Sequence, residues 1–382
     1  MFETDSSMKC PYCLSTKTFV YYKTNQPSIL SACPAVQLSS VKNYPFEATF
    51  CCDCGLGFNS SQLSQTELHE IYDNYLYVSP LNNIGHTAFN GIKDTIKKYC
   101  SDDDKIVEIG CSEGFLLKEL RNSGYNNLMG IEPGPQAECA RGLGFHIIKG
   151  YFGEKDLNLI PVDAFLLVHV FEHFQDPFMI LQTMKSMLSD KGRIIIEVPD
   201  FGGYHHQHLF FFNLAFMKRL CEDTGLKLIN IQIDHGASRF VIVKKDNYCY
   251  ETSEIKTDIS HEIVRAKKIH TEMQKKINSV VSLFKKSMGK KIFWWGAGSL
   301  SVILLNQLER KLVEDCDLCI IDGDSAKEGF FIPGINLPVS PVSLIAGRSI
   351  EKLIIASSYH NEIMQTIKDN KITVKDLLVI DA

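Results

Sequence analysis

The sequence lacks several features that would assign it to a class at once. None of its apolar runs reaches the roughly 18 residues that a membrane span requires. Its amino terminus, MFETDSSMKCPYC, lacks the basic and then apolar pattern of a secretory signal. An excess of positive charge is also missing, since 40 basic residues stand against 45 acidic ones and leave a net charge of −5. We therefore expect a cytoplasmic protein that binds neither membranes nor nucleic acids.

The length of the chain predicts two or three domains. Its 382 residues, at roughly 150 residues per domain, are too many for a small scaffold held by disulfides. Apolar residues make up 45% and charged residues 22% of the chain. That balance is typical of folded globular proteins and excludes a chain that is disordered throughout.

Thirteen cysteines are the most informative residues that the sequence does contain. In a reducing cytoplasm, spaced pairs of cysteines are more often metal ligands than disulfides. Two CxxC pairs, Cys10 with Cys13 and Cys51 with Cys54, each place two sulfurs on one tight turn, and four thiolates suit tetrahedral zinc. We predict a structural zinc site, with unpaired thiols in a loop as the alternative. A closed site of this kind would fold its module and perform no chemistry.

From Lys105 onwards the sequence alternates between strand and helix patterns. The run KIVEIG predicts a strand, CSEGFLLKELRNSG predicts a glycine-rich turn that opens a helix, and NLMGIEPG predicts a second strand that ends in an acid. Gly110 and Gly114 would let a ligand approach the backbone closely, and Glu132 could accept hydrogen bonds from both hydroxyls of a ribose. This βαβ unit therefore predicts a bound adenosine.

Five more strand patterns follow: FHIIKG, DAFLLVHV, GRIIIEVP, LKLINIQI and RFVIVKK, the last two predicted as an antiparallel hairpin at the sheet edge. This run of seven strands resembles the class I S-adenosylmethionine-dependent methyltransferases. Their first motif, acid-x-Gly-x-Gly-x-Gly, is matched by Glu108, Gly110 and Gly114, with Ser112 in place of the middle glycine. The resemblance implies an α/β fold with a seven-stranded, Rossmann-like sheet and S-adenosylmethionine as cofactor. A dehydrogenase is the alternative, although its first turn would more often show GxGxxG.

Upstream of this unit, Tyr72, Tyr75 and Tyr77 place three aromatic rings beside the predicted ligand entrance. A sulfonium cation is attracted to aromatic faces, so one or more of these rings could pack over the methyl donor. An ordinary hydrophobic anchor between two modules is the alternative.

Histidines follow the fourth and fifth predicted strands. His169 and His173 come after DAFLLVHV, and His205, His206 and His208 come after GRIIIEVP. Ligands of open α/β sheets bind beyond the carboxyl ends of the strands, and histidine titrates near neutral pH. We predict a general base among these residues, with a solvated loop as the alternative.

Over nearly its full length the chain resembles the three-module sugar C-methyltransferases, which act on nucleotide-linked deoxysugars in bacterial secondary-metabolite and surface-glycan pathways. At the amino terminus the resemblance rests on two CxxC pairs, the second followed directly by Gly55-Leu56, and on the tyrosines named above. The carboxyl-terminal signs are Trp295-Gly296-Ala297-Gly298, Asp322, Lys327-Glu328-Gly329 and Pro333-Gly334.

The resemblance implies four parts. These are a zinc-binding module over 1–70, a methyltransferase core over 71–250, a helical linker over 251–288 and a Rossmann-like domain over 289–382. The last module reads as a second βαβ unit, with KIFWWGAGS as strand and turn, SVILLNQLER as helix and DLCIID as strand. The resemblance implies that it helps to close the substrate cleft, and independent NAD binding is the alternative.

The resemblance also implies roles for the histidines. His208 matches the family's base, while Gln207 stands where the family has glutamate and His205 where it has tyrosine. His169 and His173 match an asparagine and a histidine of the family; we group His169 with the cofactor-binding residues and His173 with the catalytic ones.

The function implied is S-adenosylmethionine-dependent C-methylation of a nucleotide-linked keto-deoxysugar. A histidine would remove a proton next to the ketone, and the resulting enolate would attack the donor methyl. Two alternatives stay open at this point. One is an O- or N-methyltransferase acting on a sugar or small metabolite, and the other is a noncatalytic nucleotide-binding scaffold.

Overall fold

The structure is a computed structural model that describes residues 8–61, 63–64, 66–67, 83–153, 161–234, 236–245 and 255–380. The predicted donor-facing tyrosines, Tyr72, Tyr75 and Tyr77, lie outside the described residues. In the described part, no helix is long and apolar enough to cross a membrane.

The described residues form sixteen strands and nine α-helices. In chain order the strands are β1 (Thr18–Pro27), β2 (Asn43–Cys51), β3 (Gly57–Asn59), β4 (Ile106–Ile109), β5 (Leu128–Glu132), β6 (His146–Lys149), β7 (Val162–Val168), β8 (Leu188–Pro199), β9 (Phe210–Phe211), β10 (Leu226–Asp234), β11 (Ala237–Lys244), β12 (Lys291–Trp295), β13 (Asp317–Asp322), β14 (Val339–Pro341), β15 (Ser349–Ala356) and β16 (Thr373–Ile380). The helices are α1 (Asn83–Tyr99), α2 (Phe115–Asn122), α3 (Ala137–Gly142), α4 (Pro177–Met187), α5 (Leu214–Asp223), α6 (Ile259–Lys285), α7 (Ser299–Asn306), α8 (Arg310–Glu314) and α9 (His360–Asp369).

The central sheet has seven strands in the order β10-β11-β8-β7-β4-β5-β6. Strands β4 to β8 pair in parallel, while β11 pairs antiparallel with both β8 and β10. The short runs IVEI of β4 and AFLL of β7 are buried throughout, as expected for parallel strands covered on both faces. The predicted α/β fold with a seven-stranded sheet is confirmed, and so is the hairpin predicted at its edge.

The strand order reverses at β4, which has β5 on one side and β7 on the other. Ligands of open α/β sheets bind at such a switch point, in the crevice beyond the carboxyl ends of the strands. The turn after β4 carries Gly110, and the loop after β7 carries His169. The topology thus brings the glycine turn and the first histidines to one crevice.

The amino-terminal sheet is antiparallel, with the order β1-β2-β3-β9. Its last strand comes from the central part of the chain, because Phe210 and Phe211 pair with Phe58 and Gly57. Aromatic side chains of β1 and β2 pack with Phe211 in one buried cluster. The segment that precedes β9 contains His205–His208 and is therefore held between two sheets.

Helix α6 is a single 27-residue helix within the segment predicted as a linker. It begins at Asp258, whose carboxylate accepts a hydrogen bond from the backbone N–H of Ser260. It contacts β1, and near its end Val280 and Phe284 join the core of the carboxyl-terminal sheet. The helix therefore packs against the two flanking sheets, while the exact module boundaries stay a prediction.

The carboxyl-terminal sheet is parallel throughout, with the order β14-β13-β12-β15-β16. The predicted strand–helix–strand unit is present as β12, α7 and β13. Helix α7 ends at Asn306, earlier than the run SVILLNQLER suggested, and the Asn306 amide donates to the carbonyl of Pro333. Trp294 and Trp295 are buried on the two faces of β12, which anchors the unit.

Candidate functional site

The turn after β4, where we predict that the methyl donor binds, is tightly constrained. Gly110 has a φ of +72°, and a Cβ built on it would lie 2.4 Å from Cγ2 of Val170. A side chain is therefore excluded at this position both by the backbone conformation and by the neighbouring loop. Ser112 and Gly114 also have positive φ, so the chain turns sharply before α2 begins.

Two buried carboxylates line this turn. Glu132 accepts hydrogen bonds from the backbone N–H groups of Ser112, at 2.9 Å, and of Gly134, at 2.7 Å. Glu108 is buried, and its Oε2 has no hydrogen-bond partner among the described residues. Burial raises the pKa of Glu108 well above its ordinary value, and the charge of Glu132 adds to that rise. A glycine turn with an acid at the end of the next strand and an unpaired buried carboxyl oxygen fits an adenosine ligand.

A cavity of about 270 Å³ opens beside this crevice, and three parts of the chain line it. Ile29–Ser31 follow β1 of the amino-terminal sheet, and Ser299 begins α7. The rest of the wall comes from two loops of the central sheet. We call them the first histidine loop (169–173), after β7, and the second histidine loop (204–208), after β8.

The two histidine loops are tied together by hydrogen bonds. Nδ1 of His173 lies 2.7 Å from the carbonyl oxygen of Gln207, and the N–H of Leu209 donates to the carbonyl of Glu172 at 2.9 Å. A carbonyl only accepts, so Nδ1 of His173 carries a proton in this hydrogen bond. The loops therefore present their side chains to one cavity in a fixed arrangement.

His169 lies close to two carboxylates of the site. Its side chain is 50% exposed, with Nδ1 3.8 Å from Oε1 of Glu172 and Nε2 3.5 Å from Oε1 of Glu197. Partial removal from water lowers the pKa of His169, but the two carboxylates outweigh that effect and the net pKa is raised. Glu197 is in turn bound by Arg239, whose Nε lies 2.6 Å from its Oε2.

His205 and His208 are neutral imidazoles that lie against each other. Their ring centroids are 3.7 Å apart, and His173 packs edge-on to His208 at 4.9 Å. Burial lowers the pKa of His205 to about 3, with His173 and His206 adding repulsion. Burial also lowers the pKa of His208 well below its ordinary value, with further repulsion from His205 and His173. An imidazole in this state can accept a proton but needs an anion nearby to hold it.

His206 is not part of the cavity wall. Its ring packs edge-on to Tyr44 and Phe46, and its Nε2 lies 3.4 Å from the carbonyl oxygen of Tyr44. Of the three histidines in the second loop, His205 and His208 therefore line the cavity, while His206 packs into the amino-terminal core. His206 and His208 are buried, and His205 is half-buried.

The four predicted zinc ligands converge. The Sγ atoms of Cys10 and Cys54 are 3.6 Å apart, those of Cys13 and Cys51 are 3.5 Å apart, and all four lie within 4.8 Å of one another. Tetrahedral zinc with Zn–S bonds of about 2.3 Å requires S–S distances of about 3.8 Å, so the cluster fits the ion. The turn beside it is bound to α5, because the Asn213 amide donates to the carbonyl of Gly55.

A second group of possible ligands lies in the cavity itself. Glu172, His173 and His208 each offer one ligand atom, and these atoms lie within 4.8 Å of one another. Unlike the cysteine cluster, this group also has the unpaired proton acceptors that acid–base chemistry needs.

Two family models match the chain. The model described as "Methyltransferase domain" matches residues 84–231, which contain the glycine turn and both histidine loops. The model described as "C-methyltransferase C-terminal domain" matches residues 256–375. The chain is an S-adenosylmethionine-dependent methyltransferase.

Solved structures similar to this methyltransferase cover less than half of its length. They include the magnesium protoporphyrin IX methyltransferase of Synechocystis PCC 6803, at 9% identity over 44% of this chain and 90% of that one, with a TM-score of 0.37. An S-adenosylmethionine-dependent methyltransferase from Thermotoga maritima is 19% identical over 42% of this chain and 91% of its own, with a TM-score of 0.36. One from Mesorhizobium loti is 9% identical over 39% and 95%, with a TM-score of 0.34. No curated protein sequence matches the chain.

Three parts of the methyltransferase site escaped the sequence reasoning. Glu172 lies between the predicted site residues His169 and His173 but was given no role, and Ile29–Ser31 and Ser299 carry no motif for a cavity wall. Glu172 had one available signal, since it is an acid between two predicted site histidines. The other two reach the cavity only because the three sheets pack together.

Proposed function

We propose that this methyltransferase transfers a methyl group to a carbon atom of a nucleotide-linked keto-deoxysugar. The observation that supports this most is the wall of imidazoles, His173, His205 and His208, at the switch-point crevice beside the donor turn. Carbon methylation needs a base for a C–H proton, and the carboxyl-terminal match to a C-methyltransferase domain agrees with that need.

The donor would be held by the turn from Gly110 to Gly114, by Glu132 and by Glu108, with His169 at the neighbouring loop. The tyrosines Tyr72, Tyr75 and Tyr77 are proposed to face the donor because of the family resemblance. When bound, S-adenosylmethionine supplies an electrophilic methyl group. The turn and its carboxylates would orient that group towards the cavity, because the main catalytic task is to hold the methyl carbon, bound to sulfur, close to the acceptor carbon.

The acceptor would bind in the cavity with its ketone among the histidines. The cavity volume of about 270 Å³ is at the low end for small-molecule sites, so it suits the sugar rather than the whole nucleotide-linked molecule. Ser31 and Ser299 line the cavity from the flanking modules and are proposed to contact the nucleotide portion. His208 would take the proton next to the ketone, and His173 or His205 would orient the sugar or stabilise the enolate oxygen.

The proposal is tested by mass spectrometry of acceptors incubated with the protein and S-adenosylmethionine. The panel contains nucleotide-linked keto-sugars and their reduced counterparts. A mass gain of one methylene equivalent on keto-sugars alone supports C-methylation. A gain on the reduced sugars instead establishes the O-methyltransferase alternative, and methylation of neither class removes the proposed acceptor.

A second measurement isolates the proton step. In heavy water and without donor, the wild-type protein should exchange deuterium into the carbon next to the ketone, because enolate formation precedes methyl transfer. His208→Asn should abolish this exchange while S-adenosylmethionine affinity stays nearly unchanged. Exchange at the wild-type rate in that variant would remove His208 from the mechanism.

We also propose that the cluster of Cys10, Cys13, Cys51 and Cys54 holds one structural zinc ion. Elemental analysis of purified protein should find one zinc per chain, and Cys51→Ser should lower both the zinc content and the unfolding temperature. Cys33→Ser is a matched control, because Cys33 is a buried cysteine outside the cluster. Equal zinc content in the two variants would contradict the assignment.

A further inference from the structure

Glu172 is a buried carboxylate in the cavity wall for which the proposed function has no role. Its side chain is 1% exposed, and neither of its oxygens has a hydrogen-bond partner among the described residues. The nearest basic atoms are Nε2 of His208, at 3.6 Å, and Nδ1 of His169, at 3.8 Å. A buried carboxylate without hydrogen bonds costs folding free energy, so its position calls for a role in the site.

The backbone fixes this carboxylate beside His208. Glu172 lies in the short 3-10 helix Phe171–His173, directly after β7. Its carbonyl accepts from Leu209, and the neighbouring His173 bonds Gln207, so each loop holds the other on either side of His208. The acid of the first histidine loop therefore faces the imidazole of the second.

The chemistry proposed for His208 requires a nearby group of negative charge. An enclosed imidazole gains a positive charge when it removes a proton from carbon, and that charge is unfavourable beside His205 and His173. A carboxylate at 3.6 Å would offset it. The resemblance leads one to expect a glutamate at position 207, next to the base, where this chain has glutamine. Gln207 and Glu172 line the same cavity from opposite loops.

We propose that Glu172 is the charge partner of His208, a positioning residue that replaces the missing acid at position 207. The C–H bond next to the ketone breaks, its proton goes to the lone pair of the His208 imidazole, and its electron pair moves into the enolate with negative charge on oxygen. The carboxylate of Glu172, 3.6 Å from the ring, balances the charge of the imidazolium. This inference rests on the proposed enolate mechanism.

The test moves the carboxylate from one loop to the other. Glu172→Gln keeps the shape and removes the charge, so deuterium exchange into the keto-sugar should fall by about a hundredfold, while donor affinity and the KM for the sugar change little. Adding Gln207→Glu to that variant should then raise the exchange rate again by at least about tenfold. A merely structural role of Glu172 would not be rescued by an acid on the other loop. Glu138→Gln, at an exposed position of α3, is the control.

Three results would overturn the inference. The first is exchange at the wild-type rate in Glu172→Gln, and the second is a loss that Gln207→Glu does not rescue although both variants unfold at the wild-type temperature. The third is a second metal equivalent, beyond the zinc, that is present in the wild type and lost in Glu172→Gln, because the cluster of Glu172, His173 and His208 would then hold a cation. A wild-type protein that exchanges no deuterium into any keto-sugar would instead refute the proposed function, and this inference with it.

Discussion

Two βαβ units of the same pattern occur in this molecule, one in the central sheet and one in the carboxyl-terminal sheet. In each, a glycine turn follows the first strand and an acid ends the second. In each, that acid accepts a hydrogen bond from the turn, since Glu132 accepts from Ser112 and Asp322 accepts from Ala297 at 2.8 Å. On the sequence alone the two units are near equivalents.

The surroundings of the two turns differ. In the carboxyl-terminal unit, Nζ of Lys327 lies 3.4 Å from Asp322, and the carbonyl of Ala297 accepts from the N–H of Ala32. In the central unit no cation lies within ion-pair distance of Glu132 in the part of the chain that the structure describes, and Glu108 keeps an unpaired oxygen. The same local pattern thus serves as packing where its polar groups are paired, and as a candidate binding site where they are left open.

We expect the largest effects, on donor affinity and on stability, from replacing one glycine of each turn with alanine. Gly110→Ala places a side chain at φ +72° against Val170, which we expect to cost about 3 kcal/mol and to reduce S-adenosylmethionine affinity roughly a hundredfold. Gly296→Ala, at φ +123°, would meet the carbonyl oxygen of Ala356 at 2.5 Å and should lower the unfolding temperature instead. Calorimetric titration and thermal unfolding measure the two effects.

The control for both is Gly298→Ala, because a Cβ there meets no atom within 4 Å. It should leave donor affinity and stability close to wild type. If Gly296→Ala weakened donor binding as strongly as Gly110→Ala does, the two turns would not have the separate uses described here.

A smaller effect is expected from neutralising the two acids. Glu132→Gln removes a charged acceptor, and with hydrogen bonds to charged groups worth about 1.5–3 kcal/mol, donor affinity should fall about tenfold to a hundredfold. Asp322→Asn weakens the pair with Lys327 and should reduce stability while donor affinity is unchanged. Both variants are measured in one titration series. The assignment of separate roles to the two acids would be wrong if Asp322→Asn alone reduced donor affinity.

Acid should destabilise the central unit through its enclosed histidines. The pKa of His205 is lowered to about 3 and that of His206 to about 4, against about 6.5 when unfolded. Between those values the unfolded chain binds a proton that the folded chain excludes. Their contribution to stability is therefore complete above pH 6.5 and is lost as the pH falls, by about 2 kcal/mol per histidine at pH 5. The raised pKa of His169 opposes this trend.

Urea unfolding at pH 7 and pH 5 measures the effect. His206→Asn should remove about 2 kcal/mol of the difference between the two pH values without loss of methyl transfer, because His206 packs away from the cavity. His270→Asn, at an exposed position of α6, should change nothing. An unchanged pH dependence in His206→Asn would show that the acid sensitivity arises elsewhere.

The smallest effect should come from Lys327→Ala. The pair with Asp322 is mostly buried, with side chains 18% and 12% exposed, yet Asp322 keeps its bonds to the backbone. We expect a loss of about 1 kcal/mol in stability and no change in donor affinity. A variant that newly bound a nicotinamide dinucleotide, detected by thermal shift, would revive the dehydrogenase alternative for the carboxyl-terminal unit.

Local patterns predicted the individual elements well. The β-branched runs became β4, β7 and β8, the glycine turn preceded α2, and the edge hairpin formed from β10 and β11, because strand and turn preferences act over a few residues. Helix α7 ends earlier than predicted, at Asn306, where the Asn306 amide bonds Pro333, a residue distant in sequence. In the second histidine loop, spacing along the sequence likewise gave no reason to separate His206 from His205 and His208.

The sequence by itself determined the elements, the pairing of cysteines into one cluster of four and the placing of histidines after two particular strands. These follow from short-range spacing and from the rule that parallel strands end at one edge of a sheet. Only the tertiary structure decided that β9 joins the amino-terminal sheet, that Ile29–Ser31 and Ser299 complete the cavity, and that Glu172 faces His208. Each of these depends on contacts between residues far apart in the chain, which the packing of whole sheets fixes and local preference does not.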